Sequence, residues 1–247
     1  MCVDSVESAI AAEEGGASRL ELCADLEHGG TTPSAGMVRV VREHVRIPIV
    51  VMIRPRPGDF CYSDFEMEVM IRDAEEMKSF GADGLAFGVL TPESKIDVAR
   101  SRVLISTARP MFLTFHRAFE ECNDRFEALD QLKMLGVDRV LTSGGRRMID
   151  DGVPEIAALV KKSEGLIEIM AGGGVTFENV TQIVSKTKVK EIHVLSAVSS
   201  ENRRLPSTTN LFDTALKVVN VSKVRRMASL LRELNASDQV SGKQENP

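Results

Sequence analysis

Short apolar segments alternate with stretches of helical periodicity along the whole chain. The candidate strands are Met1–Val3, Arg19–Leu22, Ile49–Ile53, Gly84–Phe87, Met111–Phe115, Arg139–Leu141, Ile167–Met170 and Ile192–Leu195. Several are continuous apolar runs, such as IVVMI at 49–53. Strands covered on both faces, as in parallel sheets, read this way. Helical patterns fall between them at Ser5–Glu14, Met37–Val45, Phe65–Phe80, Phe126–Leu135, Val153–Lys162, Glu178–Ser185 and Ser222–Asn235. Their limits carry chemical marks: Pro48 beyond the second, Gly81 and Gly136 after the third and fourth, Pro154 in a first turn, and Thr176 as a cap. Asp97–Ala108 is a fainter helical stretch.

One junction recurs. Gly16-Ala17-Ser18-Arg19-Leu20, Gly81-Ala82-Asp83-Gly84-Leu85 and Gly136-Val137-Asp138-Arg139-Val140 share a pattern, at intervals of 65 and 55 residues. Glycine closes a helix in a left-handed turn, a small polar residue redirects the chain, and a strand begins. Eight strand–helix alternations predict a single-domain α/β fold, a (β/α)8 TIM barrel over residues 1–235. A doubly wound open sheet is the other candidate, disfavoured because no G-x-G-x-x-G follows the first strand. Ser199–Asn210 reads as a long exposed loop, and the polar residues 236–247 as a disordered tail.

Composition narrows the function. The chain has 247 residues, 43% hydrophobic and 27% charged, with a net charge of −5. An acidic chain without a basic run, and with 4% aromatic residues, is not expected to bind nucleic acid. No apolar run reaches about 18 residues and no secretory leader opens the sequence, so no membrane span is expected. The four cysteines, Cys2, Cys23, Cys61 and Cys122, form no C-x-x-C. They are expected to be reduced thiols in the cytoplasm.

In a barrel, chemistry gathers at the C-terminal ends of the strands. There the sequence puts Cys2 and Asp4, Glu21 and Cys23, Arg54, Thr114 and His116, Thr142-Ser143-Gly144-Gly145, Gly172-Gly173-Gly174, and Ser196. Strand parity sets Cys2 on one face with Asp4, and Glu21 with Cys23. Glu21 and Arg54 could pair with each other, or Arg54 could bind an anion. His116 could be an acid or base, a metal ligand or a plain mouth residue. His28 and His44 read as exposed, and His193 as packing within the last strand. The glycine triplet, leading into a helix, could hold a phosphate or crowd a turn. Cys2 and Cys23 stand at equivalent ends of neighbouring strands, about 4.8 Å apart. Two inward thiolates at that spacing could clasp one soft ion, and Cu(I) favours such ligands.

The same residues resemble the CutC copper-homeostasis protein family. The resemblance rests on CVDSVESA at 2–9, RLELC at 19–23, GGTTPSAG at 29–36, VMIRPRPGDFCYSD at 51–64, GADGLAFG at 81–88, TFHRAF at 114–119, RVLTSG at 139–144 and AGGGVT at 171–176. It implies a TIM barrel, copper handling, a cytoplasmic and in eukaryotes also nuclear location, and homo-oligomers, either dimers or tetramers. It implies Cu(I) as the bound ion, with Cys2 and Cys23 as its ligands. Asp4, Glu21, Arg54 and His116 are then expected to surround the sulfurs and tune their charge. Family members carry residues ahead of the first strand; here Met1 abuts Cys2, so a short first strand is expected. The alternative is a barrel enzyme of isomerase or aldolase type. Arg54 and Gly172–Gly174 would hold a small anionic or phosphorylated substrate, and Glu21 and His116 would move protons. A scaffold acting through oligomer contacts is a third reading.

Overall fold

The computed structural model describes residues 1–202 and 216–241. Eight strands form its main sheet in chain order: β1 (Cys2–Val3), β2 (Leu20–Leu22), β3 (Ile49–Met52), β4 (Gly84–Phe87), β5 (Phe112–Phe115), β6 (Arg139–Thr142), β7 (Glu168–Ala171) and β8 (Glu191–Ile192). Each pairs in parallel with the next. The ring closes where the Cys2 N–H donates to the Val194 carbonyl at 3.0 Å. The helices are α1 (Val6–Glu14), α2 (Ala35–His44), α3 (Asp64–Ser79), α4 (Val98–Ala108), α5 (Arg125–Leu135), α6 (Val153–Ser163), α7 (Val180–Thr187) and α8 (Val221–Ser241). This is the expected α/β TIM barrel. No helix among the described residues is long and apolar enough to cross a membrane.

Local chemistry explains the element limits. Ser63 accepts from the Glu66 N–H while Glu66 reaches back to Ser63, a capping box that starts α3. Asp97 caps the faint helix as α4, and Asp124 accepts from two amides to start α5. Gly136 ends α5 at φ 73°.

Side chains alternate across the strands. Leu20, Leu22, Ile49, Val51, Leu85, Phe87, Leu113 and Phe115 face outward into the apolar layer beneath the helices. Cys2, Cys23, Val50, Met52 and Ala86 form a separate cluster inside the ring. The outer layer carries the bulk of the buried apolar surface, which is the main source of stability. The lumen is free to hold polar groups.

Three expectations are corrected. The last barrel strand is Glu191–Ile192 rather than Ile192–Leu195; beyond it His193 N–H still bonds the Ala171 carbonyl, and Val194 turns to the seam with β1. Ser199–Asn202 is not loop but strand β9, antiparallel to β10 (Leu216–Val219). The Ser-Ser-Glu-Asn strand lacks the apolar alternation that would announce it. The remainder of that expected loop, 203–210, lies outside the described residues. Helix α8 continues past Ala236 and ends at Ser241, before Gly242, because Ala, Ser, Asp and Gln do not break a helix. Of the expected tail, 242–247 lie outside the described residues.

Candidate functional site

The pairing register builds the site. Cys2 lies opposite Glu21 in the β1–β2 ladder, and Cys23 follows two residues later on the same face of β2. The Cys23 N–H donates to the Val3 carbonyl at 2.9 Å, which carries the ladder one step beyond β2. Both thiols therefore point into the lumen, with 3.8 Å between their sulfurs. A carboxylate oxygen of Glu21 completes a group whose three ligand atoms lie within 4.8 Å of one another. Cys2, Glu21 and Cys23 are 3%, 6% and 1% exposed, so any ion there sits out of bulk water. Gly30 packs on Cys23: at φ 88°, a Cβ there would stand 3.3 Å from the sulfur. Glycine serves that turn both by its backbone freedom and by leaving room.

The sulfurs open into a cavity of about 350 Å³ at the barrel mouth. Its walls include Met52, Arg54, Phe60, His116, Gly173, Gly174 and His193. His193 Nε2 stands 2.8 Å from Glu21 Oε2. Burial alone would push the Glu21 carboxyl up, but the His193 charge and hydrogen bond outweigh it and hold Glu21 at about 2. Burial would lower His193; the Glu21 charge reverses this and raises it to about 9. The two form a buried ion pair at neutral pH. Beside it the two thiols are shifted in opposite directions. The hydrogen bond from Cys23 favours the Cys2 thiolate over the cost of its burial, and His193 adds to this. Cys23, as the donor to Cys2, and as a buried thiol, is raised well above its ordinary value. Cys2 is thus the more acidic thiol of the pair, beside a carboxylate neutralised by His193.

The other predicted residues take different places. Arg54 does not pair with Glu21. Its guanidinium donates to the carbonyls of His28, Gly30 and Gly58 at 3.0, 3.0 and 2.8 Å, and braces two mouth loops. His116 Nδ1 accepts the Ala118 N–H at 3.1 Å, while burial first and the Arg54 charge second lower its pKa to about 4. It is a neutral imidazole with its proton on Nε2. Glu21, ion-paired, and His116, neutral with one nitrogen engaged, are poorly matched as a proton-transfer couple. Asp4 does not line the cavity, though its charge reaches Cys23. Gly173 and Gly174 line the cavity; Gly172 is packed between Leu141 and His193 and donates to the Thr142 carbonyl. Cys61 is partly exposed and Cys122 is buried with its thiol pushed up to about 12; neither joins the pair.

His193 is the residue that sequence reasoning missed as a member of the site. It was expected to pack within the last strand, and instead it neutralises Glu21. The available signal was parity: a histidine at the end of a strand faces either the lumen or the helices, and only the register decides. His28 is exposed and paired with Asp25 at 2.7 Å, and also edges the cavity. His44 is exposed, with Nδ1 against the Val40 carbonyl.

Comparison with known proteins adds lineage to this geometry. The human protein named copper homeostasis protein cutC homolog is 43% identical over 243 residues, covering 95% of this chain and 89% of its own length. A CutC family protein of Glaesserella parasuis is 41% identical over 224 residues, with 87% and 92% covered. The crystal structure of CutC from Streptococcus agalactiae, described as a candidate copper homeostasis protein, superposes with a TM-score of 0.75 at 36% identity, covering 78% of this chain and 95% of that one. Thiamine phosphate pyrophosphorylase from Pyrococcus furiosus shares the fold alone, at a TM-score of 0.58 and 18% identity. The CutC family model matches residues 1–198. By that match and those identities, the chain belongs to the CutC family.

Proposed function

We propose that the chain is a copper-homeostasis protein that binds Cu(I) through the thiolates of Cys2 and Cys23. The observation that carries this is the buried sulfur pair at 3.8 Å, open to the barrel mouth. Thiolate sulfur is the ligand that Cu(I) prefers over the harder divalent ions. With metal–sulfur bonds of about 2.3 Å, a linear S–metal–S unit spans about 4.6 Å. The observed spacing suits a bent clasp, which leaves one side of the ion facing Glu21 and the cavity. Copper is cargo in this reading. The hydrogen bond from Cys23 eases loss of the Cys2 proton, and loss of the Cys23 proton completes the clasp, so loading releases protons.

The setting follows from the same groups. Free thiols and a soft monovalent ion belong to a reducing compartment, so the proposed location is the cytoplasm, with the nucleus open to the same pool. Self-association into a dimer or tetramer has apolar surface to draw on, since Phe65, Met134 and Leu166 are 83%, 81% and 72% exposed. The test is anaerobic titration with Cu(I) against a competing chelator. One ion per chain is expected in the native protein. Cys2→Ser and Cys23→Ser should each abolish tight binding, while Cys61→Ser and Cys122→Ser should leave it intact. Unchanged stoichiometry and affinity in both of the first two variants rejects the proposal.

A further inference from the structure

Several polar groups around the sulfur pair are not used by a copper clasp. His116 Nδ1 is engaged with Ala118, so its proton sits on Nε2. That N–H is buried and meets no acceptor, while the ring lines the cavity. Folded interiors rarely leave a buried donor unmatched. Arg54 is 5% exposed and forms no ion pair among the described residues; its guanidinium donates to three backbone carbonyls, and its Nε has no hydrogen-bond partner. A positive charge is thus held at the mouth without a counter-charge.

The Phe60 ring shields both groups, 5.0 Å from the Arg54 guanidinium carbon and 5.1 Å from the His116 ring. Hydrogen bonds formed behind it are made away from bulk water, where they are stronger. On the cavity wall the N–H groups of Gly173 and Gly174 donate to no described residue, and both glycines have left-handed backbones at φ 96° and 94°. Arg117 adds a second cation, its guanidinium tied to Ser143 at 2.9 Å, close to Gly173, and only loosely paired with Glu120 at 4.0 Å. Glu21 does not repel an incoming anion, because His193 already neutralises it at 2.8 Å.

We propose that this cavity binds a small molecule through its oxyanion group, a phosphate or a carboxylate, with His116 Nε2 as donor, Arg54 and Arg117 as the attracting charges, and the Gly173–Gly174 turn as the facing wall. A volume of about 350 Å³ is at the scale of a small-molecule site. The ligand lies beside the sulfurs and does not require copper, so this inference stands apart from the Cu(I) reading.

The experiment uses copper-free, reduced full-length protein at pH 7. Thermal unfolding and calorimetric titration are run with inorganic phosphate, with malonate, and with chloride at matched ionic strength. A saturable stabilisation by phosphate or by malonate, beyond that of chloride, is expected. A response to phosphate alone assigns a phosphorylated ligand, and a response to malonate alone an organic acid. His116→Asn keeps an acceptor for the Ala118 N–H and removes the Nε2 donor; it should weaken binding about tenfold or more. Arg117→Met, at a partly exposed side chain, should weaken it several-fold, and secures the test should His116→Asn fail to fold. No saturable effect from either anion, or wild-type affinity in both variants, overturns the proposal.

Discussion

His116 shows how far a single residue's environment can move its chemistry. Its unfolded pKa is 6.5 and its folded value about 4, because burial and the Arg54 charge both disfavour the cation. Above pH 6.5 the ring is neutral in both states and adds no pH dependence. Below 6.5 the unfolded chain takes up a proton that the folded chain refuses until about pH 4. Stability should therefore fall as pH drops through this window, by up to about 3 kcal/mol. The Glu21–His193 pair does not blur the effect. The Glu21 contribution is lost only as pH falls from 4.5 through about 2, and that of His193 only as pH rises from 6.5 through about 9. Urea unfolding at pH 7, 5.5 and 4.5 should show a steep decline for the native chain and a flatter one for His116→Asn. Parallel slopes in the two proteins would mean that His116 is already protonated when folded.

The recurring glycine junctions have a physical role at the level of strands and helices. In the second, the Asp83 N–H donates to the Ile49 carbonyl at 2.9 Å, and its carboxylate accepts the Ile49 N–H at 2.8 Å and Arg42 at 3.0 Å. In the third, Asp138 N–H bonds the Leu113 carbonyl at 3.1 Å, and its carboxylate accepts the Leu113 N–H at 2.7 Å and Arg109 at 3.0 Å. Each aspartate clamps the start of its neighbouring strand, β3 or β5, to the next one. The first junction has Ser18 at that position, and Glu13 instead accepts the amides of Arg46 and Ile47 at 2.7 and 2.9 Å, next to β3. Asp138→Ala strands a backbone N–H and an arginine together. It should cost about 2 kcal/mol, or a fall in Tm of roughly 5 °C, read by calorimetry. A Tm within a degree of the native value would show that water replaces the carboxylate without loss.

Across the whole molecule, the two ends of the lumen carry different charge arrangements. At the end opposite the mouth, Glu191 holds Arg19 at 2.7 Å and also binds the guanidinium of Arg139, tying β6 and β8 to the residue before β2. Arg139 is 3% exposed and also lies over the Phe112 ring. Glu191→Gln would remove the carboxylate that both arginines bind directly. With Glu191 itself partly solvated, the expected loss is about 2 kcal/mol. A urea midpoint unchanged from the native one would refute it. The seam between β1 and β8 is the weak line of the ring, since Cys2 to Val194 is its one backbone hydrogen bond among the described residues. Hydrogen exchange should therefore be at least tenfold faster at the Cys2 amide than at Leu85 or Leu113, within the fully laddered β4 and β5. Equal protection would show that the ring opens only as a whole.

Much of this protein was legible along the chain, because its signals are local. Continuous apolar runs between glycine-ended helices determined a parallel eight-stranded barrel, and two-residue parity determined that Glu21 and Cys23 share a face, which the register of β1 on β2 then extends to Cys2. Element limits resting on polar or very short segments, as at β8, β9 and the end of α8, escaped it. Pairings across the molecule escaped it too. His193 meets Glu21 from 172 residues away. Arg54 turns to backbone carbonyls rather than to a carboxylate, and His116 is left with an unmatched donor. Only the closed ring decides these contacts. A side chain's partner, burial and charge depend on which distant strands the curvature brings together, and spacing along the sequence does not carry that distance.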